Sequence, residues 1–376
     1  MKKILICAFF LSVIMCSSFG CTKSSVSEKI YLSECDSYNQ IQIFKINALN
    51  DFSENTVRYF VNKDDKYISQ GTGSLEINLL KPMECYATYI SSSNSYSSLM
   101  DLSDVYKLHF DVFNPNEQQL SMLFFAKTAN CIVASEYVDL KPGEWTKTDS
   151  VINRYKIKTL DENVMYYYFY FYNLLSPESS FNIYFDNFYA QKSTSDIVEN
   201  EKQFKDNEIL DFDSIDDLNY VGIIDKSRFH RLNVDVGLNS VPQFCKQGNS
   251  LKLSVKKLFN VSLNEKLEMS REIYGVKVFQ NITDKIDFTK QGGILSVDVY
   301  NDDTAKKRVI LRISDDNGKY QECSKYVFGN TWEKLEISDF SEITLTKVKS
   351  VELLIEGYQA FGDFDIYFDN LQFGVN

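Results

Sequence analysis

Only two histidines, His109 and His230, are available for acid–base or metal chemistry in this 376-residue chain, and neither stands in a metal-ligand or nucleophile–base spacing. His109 falls in the alternating string KLHFDVF and reads as a packed or edge residue. No Gly-x-Ser-x-Gly elbow, phosphate-cradling glycine loop or His-Glu-x-x-His string occurs, which removes the commoner hydrolase and nucleotide chemistries. Glycoside hydrolysis needs two carboxylates facing one site. The densest acidic set, Glu336, Asp339 and Glu342 in EISDFSE, is spaced by three, which sends successive acids to opposite faces of a strand. It reads as a solvated strand end followed by a turn; acids contributed by separate strands leave a glycosidase open.

The aromatic residues offer more. The string VMYYYFYFYN places Tyr167, Phe169 and Phe171 on one strand face and Tyr166, Tyr168, Tyr170 and Tyr172 on the other. With the first face supplying core, Tyr168, Tyr170 and Tyr172 are expected to form an exposed ligand platform, since contiguous apolar surface marks interaction. Cover by a loop or by the second half of the chain is the alternative. The only tryptophans, Trp145 and Trp332, follow turns at equivalent places and are expected to pack beneath them.

Two lysines, an apolar run from Ile4 to Cys16 and small residues up to Cys21 have the layout of a secretory signal over 1–20. Gly20 before Cys21 and the polar TKSSVSEK behind it predict lipid attachment at Cys21, with 21–29 as a tether and anchoring to a bacterial membrane or cell surface; cleavage near Gly20 with plain secretion is the alternative. The formal charge of −12 becomes more negative once the signal lysines are gone, which repels phosphate backbones, so no nucleic acid partner is expected. Of eight cysteines, those beyond the signal are Cys35, Cys85, Cys131, Cys245 and Cys323. An odd, widely spaced set is neither a disulfide framework nor a zinc site; buried thiols are expected, with one bridge left open.

These residues are positioned by an internal repeat. Each repeat opens on Asp-Phe, at Asp51 in NALNDFSEN and Asp211 in EILDFDSIDD, and continues to GTGSLEINL or QGNSLKLSV. DLSDVYKLHFDVFN and DFTKQGGILSVDVYN follow, then KPGEWTKTD and FGNTWEKLE, and the repeats close on NIYFDNF and DIYFDNL. Period-two strands separated by polar turns predict an all-β chain of two tandem antiparallel β-sandwiches, at 30–192 and 206–376, joined by a polar linker at 193–205. In the strand before the closing motif, aligning Val164 with Val348 sets the tyrosine face opposite Ser350, Glu352, Leu354 and Glu356.

The order Asp-Phe, Gly-x-Ser-Leu, Asp-Val-x-Asn, Gly-x-x-Trp and Tyr-Phe-Asp-Asn, twice over, resembles the galactose-binding-like jelly rolls that serve as carbohydrate-binding modules. That resemblance implies a jelly-roll sandwich, a sugar site on a concave face or at the loops, and often a structural calcium near the joined chain ends. Carried over by position, calcium would sit on Asp211, Asp213 and Asp369 in the second repeat, and on Asp51 and Asp186 in the first, where Ser53 replaces the third acid. The alternative is that these aspartates satisfy turn amides without metal. The expectation is a non-catalytic surface lipoprotein binding a neutral polysaccharide or oligosaccharide; a purely structural or protein-interaction lipoprotein is the second reading.

Overall fold

The computed structural model describes residues 28–46, 57–80, 85–91, 105–128, 131–151, 166–172, 181–192, 208–225, 232–257, 271–278, 286–358 and 363–375. The signal segment with Cys21, the segment containing Asp51 and the linker lie outside them. Among them no helix is long and apolar enough to cross a membrane.

In the first repeat the strands are β1 (Glu28–Ser33), β2 (Phe44–Ile46), β3 (Val57–Asn62), β4 (Ser74–Leu79), β5 (Cys85–Ser91), β6 (Val105–Phe113), β7 (Leu120–Lys127), β8 (Ile132–Leu140), β9 (Trp145–Val151), β10 (Tyr166–Tyr172) and β11 (Phe181–Lys192). The second repeat has the same series: β12 (Glu208–Leu210), β13 (Val221–Asp225), β14 (Leu232–Asn239), β15 (Ser250–Lys257), β16 (Arg271–Val278), β17 (Gly293–Asn301), β18 (Lys307–Asp315), β19 (Tyr320–Val327), β20 (Thr331–Ile337), β21 (Val348–Tyr358) and β22 (Phe364–Val375). β-branched and aromatic residues at every second position make these segments strands, because one row can be buried while the other faces out.

Each repeat builds one six-stranded sheet of its own: β3-β4-β11-β6-β9 with β1 on β11, and β14-β15-β22-β17-β20 with β12 on β22. The opposing layers are fused. A ten-stranded sheet runs β19-β18-β21-β16-β13-β8-β7-β10-β5-β2, the two halves meeting where Ile223 of β13 pairs with Ile132 of β8. All described strand pairs are antiparallel, as expected of tandem sandwiches.

The core of the first repeat lies between its sheets, with Leu75, Ile77, Phe110, Val112, Met122, Phe124, Phe169 and Phe185 fully buried. The second core is assembled the same way from Leu251, Leu253, Val297, Leu311, Leu353 and Phe368. Leu123, Phe125, Ile132 and Tyr170 of the first repeat join that second cluster. Strand β7 is therefore buried on both faces, from Leu120 through Ala126. Its run LSMLFFA reads as such a doubly covered strand.

Candidate ligand-binding face

The tyrosine row does not form an open platform. Tyr170 is 1% exposed and stacks on Phe125 at 5.5 Å, within the cluster that contains the second repeat's core. Tyr168 is half-buried against the same cluster, 5.0 Å from Phe125. A ring closed on both faces has no surface to offer a ligand, so Tyr170 is corrected from platform to packing residue, and Tyr168 keeps only part of its surface. Tyr172 ends β10, and its side chain lies outside the described set.

The corresponding face of the second repeat differs in chemistry. Strand registers set Phe125 and Tyr168 opposite each other in the first repeat and Arg312 and Glu352 opposite each other in the second. Likewise Leu123 and Tyr170 correspond to Ile310 and Leu354, and Ser121 and Tyr172 to Arg308 and Glu356. Where one repeat stacks rings, the other pairs charges. Arg308 donates to Glu356 and, through Nη2, to Ser324 at 3.2 Å. Arg312 donates from Nε and Nη2 to Glu322 Oε2 at 2.9 and 2.7 Å, with Glu352 3.6 Å from its Nη1. Lys277 lies opposite Glu352 on β16. Three cations thus face three carboxylates over a floor of Ile310, Leu354 and Ile224, all buried.

Along the edge strand β19, two tyrosines stand on this same side, since Tyr320 pairs with Ser314 and Tyr326 with Arg308. Tyr320 is 51% exposed with the Arg312 guanidinium 4.4 Å from its centroid, and Tyr326 is 55% exposed with Lys306 Nζ at 4.7 Å. Six residues of strand separate them by about 20 Å. These residues were missed in the sequence, although Arg308 with Arg312, and Glu352 with Glu356, share even spacing and complementary sign. What the sequence hides is that β18 lies beside β21.

The aspartates of the closing motif serve the fold. Asp369 Oδ2 accepts the backbone N–H groups of Lys246 and Gln247 at 2.7 and 3.1 Å, and its Oδ1 that of Asn370 at 2.7 Å. Asp186 likewise accepts from the amides of Ser69, Gln70 and Asn187. Burial pushes both carboxyls up, and the amide hydrogen bonds pull them back only in part. Asn187 and Asn370, each at φ 52°, turn the chain into the left-handed region that Asn tolerates. Their amides reach Asp111 and Asp298 on the adjoining strands at 3.2 and 3.0 Å.

The opening acids are corrected as well. Cys35 and Phe212 are both fully buried at φ 58° and 59°, and the following Asp36 and Asp213 accept the loop amides of Thr72 and Asn249 at 2.6 and 2.7 Å. The counterpart of Asp213 is therefore Asp36, and that of Asp211 is Glu34, not Asp51. Cysteine in place of phenylalanine disguised the match. Asp211 accepts the amide of Asp213 at 3.3 Å. Calcium needs six to eight oxygens, yet Asp186, Asp213 and Asp369 meet N–H donors. Among the described residues no three His, Cys, Asp or Glu side chains gather to hold a metal. The described residues do not fit the implied calcium, and Asp51 lies outside them.

Other expectations resolve simply. Glu336 pairs with Lys334 at 2.9 Å on β20, and Asp339 accepts the amide of Ser341 in the turn beyond it. Trp145 packs on Phe113 at 5.3 Å and Trp332 on Tyr300 at 5.4 Å, both half-buried. Cys35 is a buried free thiol and Cys131 is buried, Cys245 and Cys323 are free and partly exposed, and the Cys85 side chain lies outside the described set. Burial pushes the Cys35 thiol up to about 12.

No protein-family model matches the chain, and no curated protein does. The solved structures it is similar to include carbohydrate-binding modules. The family 11 module of the cellulosomal cellulase Lic26A-Cel5E of Clostridium thermocellum is 15% identical, over 46% of this chain and 97% of that one, with a TM-score of 0.32. The tandem CBM22-1–CBM22-2 pair of Paenibacillus barcinonensis Xyn10C is 12% identical over 94% of this chain and 99% of that one, at 0.30. TmCBM61, solved with β-1,4-galactotriose, is 11% identical over 45% and 99%, at 0.29. These superpositions are loose, and the sandwich architecture rests on this chain's own strand pairings.

Proposed function

We propose that the chain is a non-catalytic, lipid-anchored surface protein that binds a neutral glycan on the second repeat, with the first repeat as its support. One observation carries the reading: the Arg308–Arg312–Glu352–Glu356 lattice flanked by the half-exposed rings of Tyr320 and Tyr326. Tyrosine offers a flat apolar face with a polar tip, suited to the C–H face of a sugar ring. Paired guanidinium and carboxylate groups in fixed geometry offer strong, directional donors and acceptors to vicinal hydroxyls. Because each guanidinium of the lattice is already paired with carboxylates, this face favours an uncharged polyhydroxyl chain over an acidic one. The equivalent face of the first repeat carries Phe125 and Tyr170 packed into the second repeat's cluster, so binding is expected at one site per chain.

A glycan array followed by affinity gel electrophoresis tests this. Retardation by a neutral polysaccharide is expected for the wild-type chain and for Tyr168→Ala, and is expected to disappear in Tyr326→Ala. No retardation by any neutral glycan would favour the scaffold reading, and release of reducing sugar a catalytic one.

A further inference from the structure

One cluster of titratable groups in the first repeat stands apart from the proposed binding face. The His109 ring is 7% exposed on β6 and stacks on Tyr189 of β11 at 4.5 Å. Its Nε2 lies 3.0 Å from Asp111 Oδ1, and its Nδ1 lies 2.8 Å from Asp149 Oδ1 on β9. Asp111 is 1% exposed, and its buried Oδ1 makes no hydrogen bond among the described residues, so the imidazole edge 3.0 Å away meets it as an ion-pair contact. A neutral imidazole carries one N–H and one lone pair. In either neutral tautomer one ring nitrogen would therefore turn a lone pair on a carboxylate oxygen. Only the imidazolium turns an N–H toward both carboxylates.

On β9, Lys147 lies opposite Asp111 in the strand register, next to Asp149 opposite His109. Lys107 pairs with Asp149 at 2.7 Å, and Lys29 of β1 lies 4.3 Å over the Tyr189 ring. Ser69 Oγ and Asn187 Nδ2 donate to Asp111 Oδ2 at 2.7 and 3.2 Å. Ser69 also donates to Asp186, so the loop carrying it is tied to the same group. Glu136 of β8 adds further negative charge felt by Asp149's side of the cluster. The second repeat places Ser296, Glu336 and Gln372 at the corresponding register, with Gln372 Nε2 3.4 Å from Ser296 Oγ, Glu336 paired to Lys334, and serine where the first repeat has the imidazole.

We propose that His109 is a proton-operated clasp, which in its charged form ties β6 to β9 and, through Asp111 and Ser69, to the loop that Asp186 also holds. Its deprotonation loosens the first repeat and leaves the second unaffected. Burial pulls the imidazole down, but the hydrogen bonds and charges of Asp111 and Asp149 outweigh it and hold it above the ordinary histidine range. A group raised in the folded state contributes stability that is complete below its unfolded value of about 6.5 and is lost as pH rises through the folded value.

The chain has only two histidines, so imidazole resonances of the full chain can be followed by NMR and assigned with His109→Ser, which installs the second repeat's residue. The expected result is a His109 midpoint above that of a free histidine, and a melting temperature that falls between pH 6 and 9 in wild type but not in His109→Ser. Should that variant fail to fold, Asp149→Asn removes one carboxylate and is expected to move the His109 midpoint down by a measurable fraction of a unit. A His109 midpoint at or below that of free histidine, an unmoved midpoint in Asp149→Asn, or an identical pH slope in a folded His109→Ser would overturn the proposal.

Discussion

Replacing Tyr170 with alanine separates the packing role from a ligand role more sharply than any other single change. The ring is 1% exposed, stacks on Phe125 at 5.5 Å and lies 6.0 Å from Tyr168, in a cluster shared by residues of both repeats. Aromatic-to-alanine changes in such surroundings cost about 3–5 kcal/mol, the lost transfer energy plus the cavity left behind. In domains of this size each kcal/mol lowers the melting temperature by about 2–4 °C, so a fall of roughly 6–20 °C is expected. Tyr170→Leu, which installs the residue found at Leu354 in the second repeat, should recover part of the loss. Differential scanning calorimetry measures the transition, and affinity electrophoresis on the same samples measures glycan binding. The expected outcome is a large fall in stability with binding kept at temperatures where the chain is folded. Abolished binding with an unchanged melting temperature would refute the burial argument and restore the tyrosine platform.

Two further outcomes are expected. Because Asp369 receives backbone amides rather than oxygen ligands, chelator or added calcium should leave the melting temperature unchanged, whereas Asp369→Ala removes the acceptor shared by the amides of Lys246, Gln247 and Asn370 at a cost of about 0.5–1.5 kcal/mol for each bond lost, read by chemical denaturation. If Cys21 carries lipid, Cys21→Ser should move the protein from the membrane fraction to the soluble fraction, and an unmodified mass for the wild-type N-terminus would contradict the anchor.

Much of the architecture was legible because repetition and alternation are written along the chain. The alignment of Val164 with Val348 puts Tyr168 against Glu352, and the strand registers put the same two residues in equivalent pairs with Phe125 and Arg312. What alternation could not reveal was which outward faces are covered. The tyrosine row looked exposed because a period-two strand has one core face, but joining β13 to β8 places the second repeat's cluster against it. The aspartates were legible as a constellation but not as a chemistry, since only folded geometry shows loop amides pointing at Asp186 and Asp369. The Arg–Glu lattice required knowing that β18 and β21, distant in sequence, are neighbours.

The most direct test of the account is titration calorimetry of the full chain with the neutral glycan that it retains best, run beside Tyr320→Ala/Tyr326→Ala and Arg312→Ala. The account predicts one site per chain in wild type, loss of measurable heat in the tyrosine pair and a markedly weaker affinity in Arg312→Ala, with all three proteins folded. Two equivalent sites per chain, or undiminished binding in the folded tyrosine double variant, would contradict it.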